Sequence, residues 1–187
     1  MIKLNIFITE TKYIFFNNSE KYIWELPNKR MGLIPFKHEI FYDKNTLEKY
    51  INKKNKIMDM ICKKEKIELE FFTPMDCSRV ELQLYFQFFD ADNKKIKKIT
   101  GANYIDFCLN EIETGCILTA SERNISLSTI ETSHVIKNIF LNRADTNNIE
   151  EKIYELKDNQ NIVIFDPNNF LAEYYYLGRL IKTQFLN

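Results

Sequence analysis

The stretch at residues 2–8 reads IKLNIFI, with a large aliphatic side chain at every even-numbered position. A period of two residues is the pattern of a β-strand that buries one face. Residues 12–16 and 21–26 are rich in Tyr, Ile, Phe and Trp, and they flank the polar tetrapeptide NNSE at 17–20, which has the length of a hairpin turn. Residues 36–42 alternate again. The N-terminal third is therefore predicted to be largely β.

A capping-box pattern marks the first predicted helix. It begins at Asn45, with Glu48 three residues later, and extends to about residue 64. Residues 67–73 are predicted to form a strand. Residues 80–89 read VELQLYFQFF and alternate apolar with polar side chains, so they too are predicted to form a strand, followed by a short one at 96–100.

The rest of the chain mixes both kinds of pattern. Strands are predicted at 116–120, 125–130 and 161–165, and helices at 103–114, 132–142, 148–158 and from the Asp166-Pro167 pair onward. Gly115 is read as the residue that ends the helix at 103–114.

These elements predict an α+β fold: one mostly antiparallel, twisted sheet with helices packed on one face. Residues 1–187 are taken as a single domain, β-rich at about 1–44 and 67–130 and helix-rich at about 131–187. No internal repeat, low-complexity tract or Pro/Gly/Ser linker divides the sequence.

The composition excludes several classes of site. Only four glycines occur, and no two stand close enough for a dinucleotide-binding turn, a phosphate-binding loop or a nucleophile elbow. The four cysteines include no Cys-x2-Cys pair, so the sequence predicts neither a metal site nor any cofactor. The N-terminus does not resemble a secretory signal and no apolar run could span a membrane, which predicts a cytoplasmic protein that does not bind membranes.

Few residues could carry catalysis. Cys77 lies beside Arg79, which could lower the pKa of its thiol, and either Cys77 or Cys116 could act as a nucleophile with His134 as the base. Asp166 follows a predicted strand, where catalytic or metal-binding carboxylates are common, although a helix-capping role explains it as well. A small Cys/His-dependent hydrolase or transferase is therefore an alternative function, and whether the chain is an enzyme stays open, with binding favoured.

Two charged surfaces suggest partners. Lys49, Lys53 and Lys56 form a stripe on the first predicted helix, but the stripe lacks arginine and interleaved aromatic residues, which makes nucleic-acid binding a second, weaker alternative. An acidic patch is predicted on the opposite half of the sequence. Its members, with the two tyrosines expected at the surface beside them, are Glu150, Glu151, Glu155, Asp158, Tyr175 and Tyr176.

The favoured function is a non-catalytic protein-binding module, such as an immunity protein or antitoxin that masks a toxin with its acidic patch. The 26 basic and 26 acidic side chains cancel only as a sum, because residues 1–99 carry 19 basic and 14 acidic side chains and residues 100–187 carry 7 and 12. This division would also suit a homo-oligomer.

Overall fold

A computed structural model describes residues 1–27, 30–31, 34–35, 41, 43–144, 149–156 and 161–181. Within these residues the strands are β1 (Ile2–Ile8), β2 (Lys12–Phe16), β3 (Lys21–Glu25), β4 (Arg30–Met31), β5 (Ile34–Pro35), β6 (Ile67–Thr73), β7 (Ile96–Asn103), β8 (Gly115–Ala120), β9 (Asn124–Glu131), β10 (His134–Asn142), β11 (Ile162–Phe165) and β12 (Arg179–Leu180). The α-helices are α1 (Lys44–Cys62), α2 (Arg79–Asp90), α3 (Tyr104–Cys108) and α4 (Ile149–Leu156), and residues Leu109–Glu111 and Ala172–Leu177 form 3-10 helices. The predicted alternation at 36–42 lies almost wholly outside the described residues.

The chain divides into two compact units. Unit 1 comprises Met1–Thr73 and Cys77–Ala102, and unit 2 comprises Pro74–Asp76 and Asn103–Asn187. In unit 1 the strand order is β3-β2-β1-β6-β7, with antiparallel pairing from β1 through β3 and parallel pairing of β1 with β6. Every side chain from Tyr13 to Phe16 in β2 is buried, as expected of a strand inside a sheet.

Unit 2 repeats this architecture. Its strand order is β10-β9-β8-β11-β12, with antiparallel pairing from β8 through β10 and parallel pairing of β8 with β11. Each strand of the second sheet thus has a counterpart in the first. The prediction of one mostly antiparallel sheet in a single α+β domain is wrong, because the fold contains two five-stranded mixed sheets.

The segment predicted as a strand at 80–89 is helix α2. Its N-cap is Ser78, whose side chain accepts the Glu81 N–H while the Glu81 carboxylate accepts the Ser78 N–H, a complete capping box. The apolar residues at 85, 88 and 89 are buried at helical spacing, and those at 82 and 86 pack beside them. The apolar residues of this segment fit both the two-residue period of a strand and the 3.6-residue period of a helix, so alternation alone predicts the wrong element here.

Three of the predicted helices also differ from the elements that the structure shows. Residues 134–142 form strand β10, and the C-terminal helix expected after Asp166 is a 3-10 helix, Ala172–Leu177, followed by β12. The predicted helix at 103–114 ends as α3 at Cys108, and Gly115 begins β8 with φ +145°. A Cβ at Gly115 would lie 2.2 Å from the Asn161 carbonyl oxygen, so close strand packing requires glycine there.

The core of unit 1 lies between its sheet and helices α1 and α2. Buried side chains of α1 pack against β1, β3 and β6, and Trp24 of β3 stacks on Tyr50 of α1 with ring centroids 5.2 Å apart. The core of unit 2 is made by β8, β9 and β11 with Ile149 and Ile153 of the shorter helix α4. Each helix buries its apolar stripe on one face of its own sheet.

A buried lysine ties α1 to α2. The Lys54 side chain is fully buried, and its Nζ donates to the carbonyl oxygens of Phe88 (2.7 Å), Phe89 (3.0 Å) and Ala91 (2.8 Å). These carbonyls belong to the C-terminal end of α2, where a cation satisfies oxygens that have no partner within the helix. Burial lowers the pKa of Lys54 to about 8.

The turns β1–β2 and β8–β9 are closed in the same way. Thr9 Oγ1 accepts from the backbone N–H groups two and three residues later, at 3.4 and 3.0 Å. Ser121 Oγ makes the equivalent contacts at 3.1 and 2.9 Å. In unit 2 the turn is also held by Asp76, whose Oδ2 accepts from the Ser121 hydroxyl and the Asn124 amide, each at 2.8 Å.

Candidate functional site

Strand β10 is the most exposed regular element of unit 2. It lies at one end of the sheet, and within the described part of the chain only β9 pairs with it. Most of its nine side chains are exposed, including Val135, Ile136 (55%) and Phe140 (48%). The outer edge of such a strand presents unpaired N–H and C=O groups, which can pair with another chain.

The β9–β10 register assigns the side chains of β10 to faces. Val135, Asn138 and Phe140 lie opposite Ile130, Ser128 and Ser126 on one face, and Ile139 and Leu141 lie opposite Leu127 and Ile125 on the face that packs on α4. The register shifts between Val135 and Lys137, so Ile136 occupies a β-bulge. From Lys137 to Asn142 the strand is regular and carries one charged side chain, Lys137.

The corresponding edge of unit 1 is built differently. Strand β3 has five residues, begins with Lys21, ends with Glu25, and buries Trp24 against α1. The other edge of that sheet, β7, carries Lys97 and Lys98. Short length, charge and a covering helix are the usual means by which proteins prevent edge pairing. Strand β10 is longer and carries an exposed apolar surface instead.

The predicted catalytic residues are not assembled by any contact that the structure describes. His134 is exposed at the start of β10, and its Nδ1 lies 2.6 Å from the Thr132 carbonyl oxygen. Cys116 is fully buried inside the sheet, and burial raises the pKa of its thiol. Cys77 is half-buried in unit 1 just before α2. Their catalytic roles remain predictions.

Asp166 organises a loop and does not begin an α-helix. Its carboxylate accepts from the backbone N–H groups of Phe170 (2.9 Å) and Leu171 (2.6 Å) and from the Tyr175 hydroxyl (2.9 Å). Burial and the adjacent Asp166 charge raise the pKa of Tyr175. These hydrogen bonds give the Asp166 carboxylate a structural role in holding the loop.

The predicted acidic patch lies partly on α4. Glu150 accepts a hydrogen bond from the exposed Tyr176 hydroxyl at 2.8 Å, and Glu155 accepts one from Lys152 at 2.6 Å. Glu151 is exposed in the first turn of α4, whereas Asp158 lies outside the described residues. The structure therefore brings Glu150 together with Tyr176, while Tyr175 pairs with Asp166.

Lys49, Lys53 and Lys56 are all exposed on α1, as the stripe predicts. The Lys53 ammonium lies 4.8 Å from the centroid of the Trp24 ring. Among the described residues, no group of three or more His, Cys, Asp and Glu side chains could hold a metal ion. No helix in this part of the chain is long and apolar enough to cross a membrane.

Comparisons with known proteins recover the fold only through structure. Neither a protein-family model nor a curated protein sequence matches the chain. The ethanolamine utilization protein EutJ from Carboxydothermus hydrogenoformans is similar, with a TM-score of 0.62 and 7% identity over 96% of this chain and 84% of that protein. The filament structure of AlfA from a B. subtilis plasmid is also similar, with a TM-score of 0.56 and 11% identity over 95% and 87% of the two chains. An AlfA filament bound to AMPPNP gives a TM-score of 0.55 and 9% identity over 98% and 90%.

The chain therefore has the actin-like fold of these proteins. This finding corrects the predicted function: the interpretation as an immunity protein or antitoxin that masks a toxin is wrong, because the chain shares its architecture with actin-like proteins. The Cys/His-dependent and nucleic-acid-binding alternatives are not tested by this likeness, because a fold does not by itself determine a function, and they stay predictions.

Strand β10 is not predicted as a surface, because the apolar spacing of residues 132–142 also fits a helix. The segment HVIKNIFLN contains four β-branched or aromatic residues among nine, a composition that favours a strand. The strand itself could therefore be predicted from the sequence. Its exposure could not be predicted, because the exposure depends on the position of β10 at the end of the sheet.

Proposed function

We propose that this chain is a self-assembling protein of the actin-like fold and that it associates with a second copy through the outer edge of β10. The observation that carries the proposal is a nine-residue edge strand with exposed Val135, Ile136 and Phe140. Exposed apolar edges are rarely left uncovered in soluble proteins. The likeness of fold to AlfA, which is described as a filament, supports self-assembly.

The sequence of β10 suits pairing with itself. Antiparallel pairing centred on Ile139 sets Ile139 opposite its own copy, Asn138 opposite Phe140, and Lys137 opposite Leu141. No like charges then face each other, and directly opposed side chains lie on the same face, as a continuous sheet requires. The unit 2 sheet of one copy would then join the unit 2 sheet of the other copy into one continuous sheet across a two-fold axis.

A contact of this kind closes on itself and gives a dimer. Growth of a filament from such dimers would need a second contact, since only head-to-tail contacts extend without limit. Strand pairing alone buries a modest area, so the dimer is expected to depend on protein concentration. The dimer is therefore the first assembly step to measure.

We place this assembly in the cytoplasm. All four cysteines are free thiols, and three of them are buried, which suits a reducing compartment.

Sedimentation velocity over a concentration series tests the proposal. Wild type is expected to shift from monomer to dimer as concentration rises, and Phe140→Lys is expected to remain monomeric at every concentration, because it brings charges to the paired edge. Ile23→Lys is the matched control: it places lysine on the equivalent edge strand β3, where Ile23 is 38% exposed. A wild type that stays monomeric throughout, or an Ile23→Lys variant that loses dimerisation as fully as Phe140→Lys, contradicts the proposal.

A further inference from the structure

Unit 1 contains a cavity of about 370 Å³ between β3 and α1. Its apolar wall is formed by Trp24, Leu26, Pro27 and the ring of Tyr50. A volume of this size is at the lower end of the range found for small-molecule sites. The cavity lies wholly within unit 1 and is independent of β10.

Two ammonium groups border the cavity. Lys49 and Lys53 stand one helical turn apart on α1, and neither forms an ion pair with any described residue. Like charges four residues apart on a helix repel each other, so an anion between them would relieve that repulsion. Glu25 is the single acid among the described lining residues, which together carry a net charge of +1.

The aromatic wall of the cavity is the second feature that a ligand would have to match. The Trp24 ring stacks on Tyr50 and lies under the Lys53 ammonium, 4.8 Å from its centroid. The Trp24 Nε1–H has no hydrogen-bond acceptor among the described residues, although the side chain is only 2% exposed. Because this N–H is buried out of reach of a molecule in the cavity, the aromatic pair contributes apolar surface to the wall.

We propose that this cavity binds a small organic phosphate with an aromatic or apolar body. The phosphate lies between the Lys49 and Lys53 ammonium groups, and the body lies against Leu26, Pro27 and the aromatic pair. Phosphate suits two cations better than one, and the apolar wall excludes water from the ion pairs. Neither half of the site would bind strongly without the other.

Trp24 is the only tryptophan of the chain, so its fluorescence reports directly on this cavity. Phenyl phosphate serves as the probe, with inorganic phosphate and benzyl alcohol testing the two halves separately. Phenyl phosphate is expected to change Trp24 emission saturably, with the apparent affinity falling as salt rises. Each half alone is expected to bind at least about tenfold more weakly.

The variants are Lys49→Gln and Lys53→Gln, and the matched control is Lys56→Gln, which removes an exposed lysine of the same helix outside the cavity lining. Each of the first two is expected to weaken binding at least about tenfold, and the control to leave it within about twofold. Because Lys53→Gln also changes the surroundings of Trp24, ligand-observed NMR of the phenyl protons provides a second measure of affinity.

The proposal is overturned by no saturable change up to about 20 mM phenyl phosphate, by equal binding of inorganic phosphate, or by equal weakening in Lys56→Gln. A thermal melt of each variant confirms that it is folded. Retention of wild-type affinity in both Lys49→Gln and Lys53→Gln counts against the site as well.

Discussion

The two units share one strand order and differ in how they cover it. In unit 1, the 19-residue helix α1 reaches over the edge strand β3 and buries Trp24 beneath Tyr50. In unit 2, α4 has eight residues and buries Ile149 and Ile153 on the centre of the sheet, and the edge strand β10 stays exposed. A repeated architecture thus yields a short, charged edge strand covered by a helix on one face and a longer, more exposed edge strand, and assembly is expected at the exposed one.

The units also differ in their connections. The β2–β3 turn of unit 1 is closed by Asn17, whose Oδ1 accepts from the backbone N–H groups of Ser19 (2.9 Å) and Glu20 (2.8 Å). The β9–β10 turn of unit 2 is formed by Thr132 (φ 49°) and Ser133 (φ 59°), two non-glycine residues in the left-handed region. The hairpin that presents β10 therefore carries backbone strain that its counterpart in unit 1 does not.

The largest effect is expected at the first strand of unit 2. Gly115→Ala should lower the free energy of unfolding by about 3 kcal/mol or more, because the new Cβ would meet the Asn161 carbonyl oxygen and φ is +145°. Urea unfolding followed by circular dichroism measures the change. Ile2→Ala at the start of β1 is the comparison in unit 1, with an expected loss of about 1 to 2 kcal/mol. Equal urea midpoints for Gly115→Ala and wild type would show that the strand contact is not as close as described.

Lys54 provides the next test, in unit 1. Lys54→Met should lower the free energy of unfolding by about 2 to 3 kcal/mol at pH 7, because three carbonyl oxygens at the end of α2 lose their donor. The comparison variant is Lys53→Met on the exposed neighbouring position, which should change stability by no more than about 0.5 kcal/mol.

The same lysine predicts a pH dependence. Burial lowers the pKa of Lys54 to about 8 in the folded chain, whereas in the unfolded chain it keeps its ordinary value near 10.4. Between these values the unfolded state binds more protons, so this group makes stability rise with pH, at up to about 1.4 kcal/mol per pH unit. The difference between wild type and Lys54→Met, measured by urea unfolding from pH 7 to 10, should therefore grow above pH 8. A constant difference would refute the lowered pKa.

The smallest effect is expected at the strained turn. Replacing Thr132 by Asn and Ser133 by Gly should raise the free energy of unfolding by about 1 kcal/mol, since these residues adopt positive φ at lower cost. Thermal unfolding measures the gain. In unit 1 position 18 is already Asn, so the single change Ser19→Gly gives the same Asn-Gly pair and is expected to give no such gain. A loss of stability in the unit 2 variant would mean that the turn is not strained.

Much of the architecture could be predicted from local pattern. Strand β1, the β2–β3 hairpin, the helix at 44–62 and the strand β11 follow from alternation, turn composition and helical spacing. Helix α2 was misassigned because its apolar residues satisfy both periods, although the Ser78–Glu81 capping box indicates the helix. Strand β10 was misassigned because Val135, Ile136, Ile139 and Phe140 also fit a helical stripe.

The repeat of the two sheets could not be predicted in this way. The equivalent turns read TETK at 9–12 and SERN at 121–124, and only the hydroxyl residue and the following glutamate correspond. Likewise, Lys49 and Lys53 were identified as a charged stripe, but the cavity beside them depends on Trp24, which is distant in sequence and enters the site only through the packing of β3 on α1. Local patterns carry no information on such long-range packing.

The central claim is that β10 is an assembly edge and β3 is not, and amide hydrogen exchange at two protein concentrations tests it most directly. Raising the concentration is expected to slow exchange in β10, because pairing with a second copy protects its outward N–H groups, and to leave exchange in β3 unchanged. Exchange in β10 that is independent of concentration, or equal slowing in β3, would contradict the account.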